Sequence, residues 1–120
     1  VMNFLDMSDL LTHVEEVGFE VFGSPIVANA NQALRRMRMK MRTEPVGFRL
    51  LPQLFTLTQL QRLYEAVNGE PIDKRNFRKR IKDMDFIEKT ELIDKTGSKR
   101  GAFLYRFNKR AYNEDQNFKL

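Results

Sequence analysis

Residues 73–86, DKRNFRKRIKDMDF, hold the densest chemistry in the chain. Six of the nine residues from Lys74 to Lys82 are Lys or Arg. Arginine presents a planar fork that matches phosphate and guanine edges. Asparagine can bond an adenine edge, and lysine is a point charge suited to phosphate. Arg75, Asn76 and Lys79 are therefore candidates for reading base edges, and Lys74, Arg78 and Lys82 for binding phosphate. The same stretch places Phe77, Ile81 and Met84 at steps of four and three, the spacing of one helix face. At 3.6 residues per turn, Arg75, Lys79 and Lys82 fall on the side roughly opposite that face. Arg75/Lys79 and Arg78/Lys82 are like charges four apart, and each such pair destabilises an exposed helix by about 0.2–0.5 kcal/mol. A helix that carries this repulsion over a narrow apolar anchor is expected to meet an anionic ligand, and a helix has the width of a major groove. The simpler alternative is a solvated basic helix with no partner.

Other chemistries find little support. The chain has no Cys and one His. No carboxylates cluster at metal-ligand spacing, and no Gly-rich phosphate loop of the Walker or dinucleotide type occurs. His13, in an acidic stretch, reads as a surface or half-buried residue. VEEVGFEV (14–21) echoes the end of a Nudix box, but Leu11 and Thr12 stand where that box needs Arg and Glu, and its upstream Gly is missing. These gaps predict no catalytic residues, no metal and no cofactor.

The basic helix needs elements to hold it. TQLQRLYEAVNG (58–69) predicts a preceding helix with Leu60, Leu63, Tyr64 and Val67 on one face. Thr58 and Gln61 have capping-box spacing, and Asn68-Gly69 ends the run. A turn at Glu70-Pro71-Ile72 leads to Asp73, the expected N-cap of the basic helix. Two helices joined so tightly form a helix-turn-helix candidate. From Phe86 the period changes to that of strands: FIEKTELI, then AFLYRF, with the loop DKTGSKRG between them. Strand, basic loop and strand directly after a helix pair read as a wing, which adds Lys95, Lys99 and Arg100 as phosphate candidates.

Upstream, Ser24-Pro25 opens a further helix running to about Arg42. Its stripe of Val27, Ala30, Leu34, Met37 and Met41 reads as a core face with Arg35, Arg36, Arg38 and Arg42 mostly off it. A competing reading makes Met37, Met39 and Met41 a dimer surface, since methionine suits adaptable contacts. EPVGFRLLPQLF is an apolar connector in which Phe55-Thr56 forms a very short strand. Ser8–Val17 reads as a short helix, and residues from Asn108 on as a tail or short helix. The resulting organisation is an acidic segment over 1–24, a winged-helix domain over 25–112 and a tail over 113–120. The fold class is α+β, mainly helical with a small antiparallel wing.

Composition agrees. At 42% hydrophobic and 31% charged, with ten Phe and three Tyr, the 120 residues suit one modest globular core. No apolar run approaches the roughly 20 residues of a membrane span. Without a signal peptide or Cys, a cytoplasmic address is expected. The first residue is Val rather than Met, as in an excised domain. The net charge of +5 is uneven: residues 1–34 carry five acids and no Lys or Arg, and all 21 bases follow. A block that basic attracts polyanions, nucleic acid before membrane.

FTLTQLQRLYEAVNGEPIDKRNFRKRI (55–81) followed by KRGAFLYRF (99–107) resembles the C-terminal winged-helix domain of the Nudix-related transcriptional regulators of bacterial NAD or sugar metabolism, arabinose included. The resemblance rests on Phe55-Thr56, Leu60-Gln61, Leu63-Tyr64-Glu65-Ala66, Gly69, the string from Asp73 to Arg78, and Leu104-Tyr105-Arg106-Phe107. It covers roughly residues 26 to 110. It implies a homodimeric regulator that binds double-stranded DNA, as repressor or activator. It also implies a small-molecule effector, such as ADP-ribose or a sugar, bound by a separate Nudix-like domain and by no residue of this stretch. Alternatives are a winged-helix protein-interaction module and an accessory domain of a Nudix hydrolase.

Overall fold

The structure, a computed structural model, describes residues 30–97, 99–118 and 120. Helix α1 spans Ala30–Met41, and a 3-10 helix follows over Pro45–Leu50. Then come α2 (Leu57–Asn68), α3 (Lys74–Lys82), β1 (Ile87–Asp94), β2 (Ala102–Phe107) and α4 (Lys109–Asp115). The Ser8–Val17 helix, the Ser24-Pro25 start, His13 and the stretch 14–21 lie outside the described residues.

α2 is built as its sequence directs at one end and differently at the other. Gly69 closes it with a left-handed φ of 74°, a conformation glycine adopts without strain. The N-cap is Thr56, two residues before the expected Thr58. Its hydroxyl accepts the Gln59 N–H at 3.1 Å, while Gln59 Oε1 accepts the Thr56 N–H at 2.8 Å. The earlier start brings Leu57 into the helix and into the core with Leu60, Leu63, Tyr64 and Val67. Gln61, freed from capping, donates to the Ile72 carbonyl at 3.4 Å, and Glu65 accepts the Ile72 N–H at 2.9 Å. α2 thereby grips the turn that sets the direction of α3.

α1 packs against α2 and the 3-10 helix. Met37 and Met41 are fully buried, whereas Met39 is exposed. The three methionines therefore do not form one surface: two are core residues of this chain. Arg38 also departs from its expected place on a solvated back, since its Nε donates to the Val67 carbonyl at 2.9 Å and so satisfies the C-terminal end of α2. Tyr64 sends its hydroxyl to the Met41 carbonyl at 3.2 Å, and burial pushes that phenol well above the usual range.

The wing is tied to the body at its base. Phe55 forms a two-bond bridge with Tyr105, N–H to carbonyl at 3.0 and 2.6 Å, which confirms a minimal strand there. β1 and β2 pair antiparallel, Ile87 opposite Phe107 and Ile93 opposite Phe103, with an irregularity between Lys89 and Ile93. An aromatic cluster locks the base. Phe48 stacks on Phe107 with centroids 4.7 Å apart, and Phe86 meets Phe107 and Tyr112 edge-on at 5.9 and 5.3 Å. Residues read as a tail contribute as well: α4 crosses residue 113, and Phe118 is buried against Phe48 and Phe86.

Replacing Tyr64 by Phe leaves the Met41 carbonyl buried without its donor. The expected cost is about 1–3 kcal/mol, read as a lower denaturation midpoint in urea with an unchanged slope.

Candidate nucleic-acid interface

The basic helix is positioned by three devices. Asp73 caps it: Oδ1 accepts the N–H groups of Arg75 at 2.9 Å and Asn76 at 3.4 Å. Phe77 and Ile81 bury its inner face, and Met84 adds to that anchor just beyond its end. Glu65 and Gln61 hold the turn before it. What remains faces outward. Lys74, Arg75, Asn76, Lys79 and Lys82 are all exposed, the disposition expected of a groove-entering helix.

Asn76 is exposed yet engaged, since its Nδ2 donates to Asp73 Oδ2 at 3.3 Å. Arg78 differs from its neighbours. It is half-buried on the flank of α3 that faces the wing, where a crevice of about 460 Å³ is lined by Arg78, Lys82, Lys89 and Tyr105. Lys95, Lys99 and Arg100 are exposed at the wing tip. The tip turn is shaped by Asp94, whose Oδ1 accepts the Thr96 N–H at 2.9 Å and its hydroxyl at 2.7 Å. Those two bonds, the backbone one first, hold the Asp94 carboxyl below the usual carboxylate range.

Two cations were not singled out from sequence. Arg80 is exposed on the opposite flank of α3, bordering a small hollow with Asp73 and Asn76. Lys89 sits on β1 with its ammonium 3.9 Å from the centre of the Phe103 ring. Cross-strand pairing places Lys89 opposite Tyr105, and its two-residue step from Ile87 along β1 was the available signal. A further wing cation, Arg106, is paired with Glu88 at 2.8 Å. Among the described residues no group of three or more His, Cys, Asp or Glu is arranged to hold a metal ion. No described helix is long and apolar enough to cross a membrane.

Two helices joined by a clamped turn, the second cationic and followed by a basic β-hairpin, make a winged helix. The family model described as the NrtR DNA-binding winged helix domain matches residues 47–107. The chain belongs to this family. It is 40% identical over 87 residues to the ADPR-responsive transcriptional repressor NtrR of Acinetobacter baylyi, covering 72% of this chain and 34% of that protein. Shewanella oneidensis NrtR crystallised with a 27mer DNA aligns with a TM-score of 0.62 at 27% identity, over 76% of this chain and 39% of that one. A second structure of Shewanella oneidensis NrtR aligns at 0.60 and 30% identity, over 75% and 38%. The chain thus spans a third to two fifths of the length of these NrtR relatives.

The NrtR-type wing depends on Gly101. Its φ is 76°, and a Cβ there would collide with Ile93 Cγ2 and reach within 3.0 Å of the Asp94 carbonyl. Gly101→Ala is expected to open the wing tip alone. Amides of Ile93 and Phe103 should lose hydrogen-exchange protection while those of α2 keep theirs. At the wing base, hydrogen bonds from Asn108 and then Arg106 depress the Glu88 carboxyl. Its contribution is therefore full above the unfolded value of about 4.3 and is lost as pH falls through the lower folded value. Glu88→Gln should flatten this acid limb of the unfolding curve.

Proposed function

We propose that the chain is the DNA-binding part of a bacterial cytoplasmic transcriptional regulator and binds duplex DNA sequence-specifically as a homodimer. The observation that carries this reading is α3, a nine-residue helix that buries Phe77 and Ile81 and turns Lys74, Arg75, Asn76, Lys79 and Lys82 outward beside a basic wing. In this reading α3 enters the major groove, with Arg75, Asn76 and Lys79 toward base edges. Lys74, Arg78 and Lys82 on the helix, and Lys95, Lys99 and Arg100 on the wing, meet phosphates. Asn76 reads an adenine only by leaving Asp73, so its contribution depends on that exchange. No catalytic role is assigned to any residue. Response to ADP-ribose or a related effector, which the name of the Acinetobacter baylyi relative states for that protein, is assigned to no residue here.

A second reading, a protein-interaction module, is favoured by the exposed Leu92, Ile93 and Phe103 on the wing and Met39 on α1. Salt separates the two. DNA binding weakens steeply as counterions are released, and an apolar contact does not.

Selection of a random duplex library on the protein, with an Arg75→Ala/Lys79→Ala double variant alongside, tests the reading. An enriched two-fold symmetric motif that the variant loses is expected. Arg75→Ala alone should relax preference at one position by about 1–3 kcal/mol, and Lys99→Ala should weaken binding about equally on all sequences. No retention at low salt would sink the DNA reading in favour of the protein-interaction one.

A further inference from the structure

After α4 the chain turns back on itself at Gln116. That residue lies in the left-handed region at φ 52°, with its N–H on the Tyr112 carbonyl at 2.7 Å. A residue other than glycine keeps this conformation where the surrounding contacts over-determine the path of the chain. Two side chains beyond the turn supply such contacts. Phe118 is buried in the ring cluster at the wing base, edge-on to Phe48 and stacked with Phe86. Leu120 is half-buried, packs against the core and lines a hollow of about 220 Å³ beside the N-terminal half of α3. Two residues reach at most about 7 Å, so one short strap joins the wing base to this hollow.

The hollow borders the end of α3 that carries Arg75 and Asn76. Asp73, Asn76, Phe77 and Arg80 line it. Among the described residues that line it, Leu120 alone comes from outside α2, the turn and α3. The first turn of α3 has one buried anchor, Phe77, since Ile81 and Met84 lie further along. Beside that anchor is open space into which the turn can tilt.

We infer that Leu120 is a positioning residue for base reading, a prop that fixes the tilt of the N-terminal half of α3. The inference rests on the DNA-binding reading and adds to it a residue that touches no DNA. Base readout is the function most sensitive to such a tilt. A lysine on a flexible stem follows a phosphate through a small shift, whereas an Arg fork or an Asn amide on a base edge needs its supporting shell to hold it within about 0.5 Å. Loss of the prop therefore lowers discrimination before it lowers affinity for DNA in general.

The test compares the full chain with Leu120→Ala, which shortens the prop, and Leu120→Met, which restores its volume. Each binds the selected duplex and a scrambled one. Leu120→Ala should lower the ratio of the two affinities about 10-fold, the size of one lost base contact, and Leu120→Met should recover it. Affinity for the scrambled duplex and the salt slope should not change, because no phosphate contact is lost. An unchanged ratio would overturn the role. So would an equal fall in both affinities with a lower urea midpoint, which would make Leu120 a general core residue. If the parent protein selects no motif, the DNA-binding reading fails, and hydrogen exchange on the free protein still decides the prop. Leu120→Ala should deprotect the amides of Arg75, Asn76 and Phe77 while those of α2 keep their protection. Deprotection spread evenly over α2 and α3, or none at all, would overturn it.

Discussion

Everything functional in this domain hangs on how a helix with six cations in nine residues is kept folded and facing outward. Its sequence works against it: Arg75/Lys79 and Arg78/Lys82 repel at about 0.2–0.5 kcal/mol per pair. Against this stand Phe77, Ile81 and Met84, all under 5% exposed. Burial of each contributes roughly 1.5–3 kcal/mol, and the Asp73 cap about 1 kcal/mol more. The anchor wins severalfold. The cationic side is therefore in place before any polyanion arrives, and the ordering entropy of this helix is not charged to binding.

Orientation is a separate problem, and backbone groups outside the helix solve it. Ile72 is held at both its N–H and its carbonyl by Glu65 and Gln61, two side chains one turn apart on α2. α2 in turn is held at its C-terminal end by Arg38 of α1, and α1 at its own end by Tyr64 of α2. The wing is set by the Phe55–Tyr105 bridge and the ring cluster around Phe107. Helix and wing thus share one core, and the distance between their cations is a property of that core rather than of a hinge.

The division between what could and could not be read in the sequence follows the range of the interactions. Local signals were legible: Asp73 as a cap, Gly69 as a terminator, the 3.6 period of Phe77 and Ile81, and the alternation of Phe103, Tyr105 and Phe107. The N-cap of α2 was ambiguous because Thr56/Gln59 and Thr58/Gln61 have the same spacing. Only the need to bury Leu57, and the use of Gln61 at the turn, decides between them. The roles of Arg38, Tyr64 and Phe118 were not legible, since each partner lies more than twenty residues away in sequence. The methionines of α1 misled for a related reason: Met39 lies between Met37 and Met41 in the chain but a third of a turn or more off their side of the helix.

Asp73 carries a conflict that bears on specificity. Its carboxylate stabilises the N-terminal end of α3, where the helix dipole favours negative charge, and it occupies Asn76 as well as the backbone. That same end is where a recognition helix reads bases. A carboxylate there repels any phosphate that approaches misaligned, while it accepts readily from an amino group on a base edge. In the DNA-binding reading proposed above, the cap then acts on register as well as on the helix. If phosphates meet Lys74, Lys82 and the wing as proposed, a duplex shifted along the helix axis brings its backbone toward Asp73 and is repelled. A domain with this much positive charge binds any DNA by counterion release, so discrimination has to come from groups that penalise the wrong alignment.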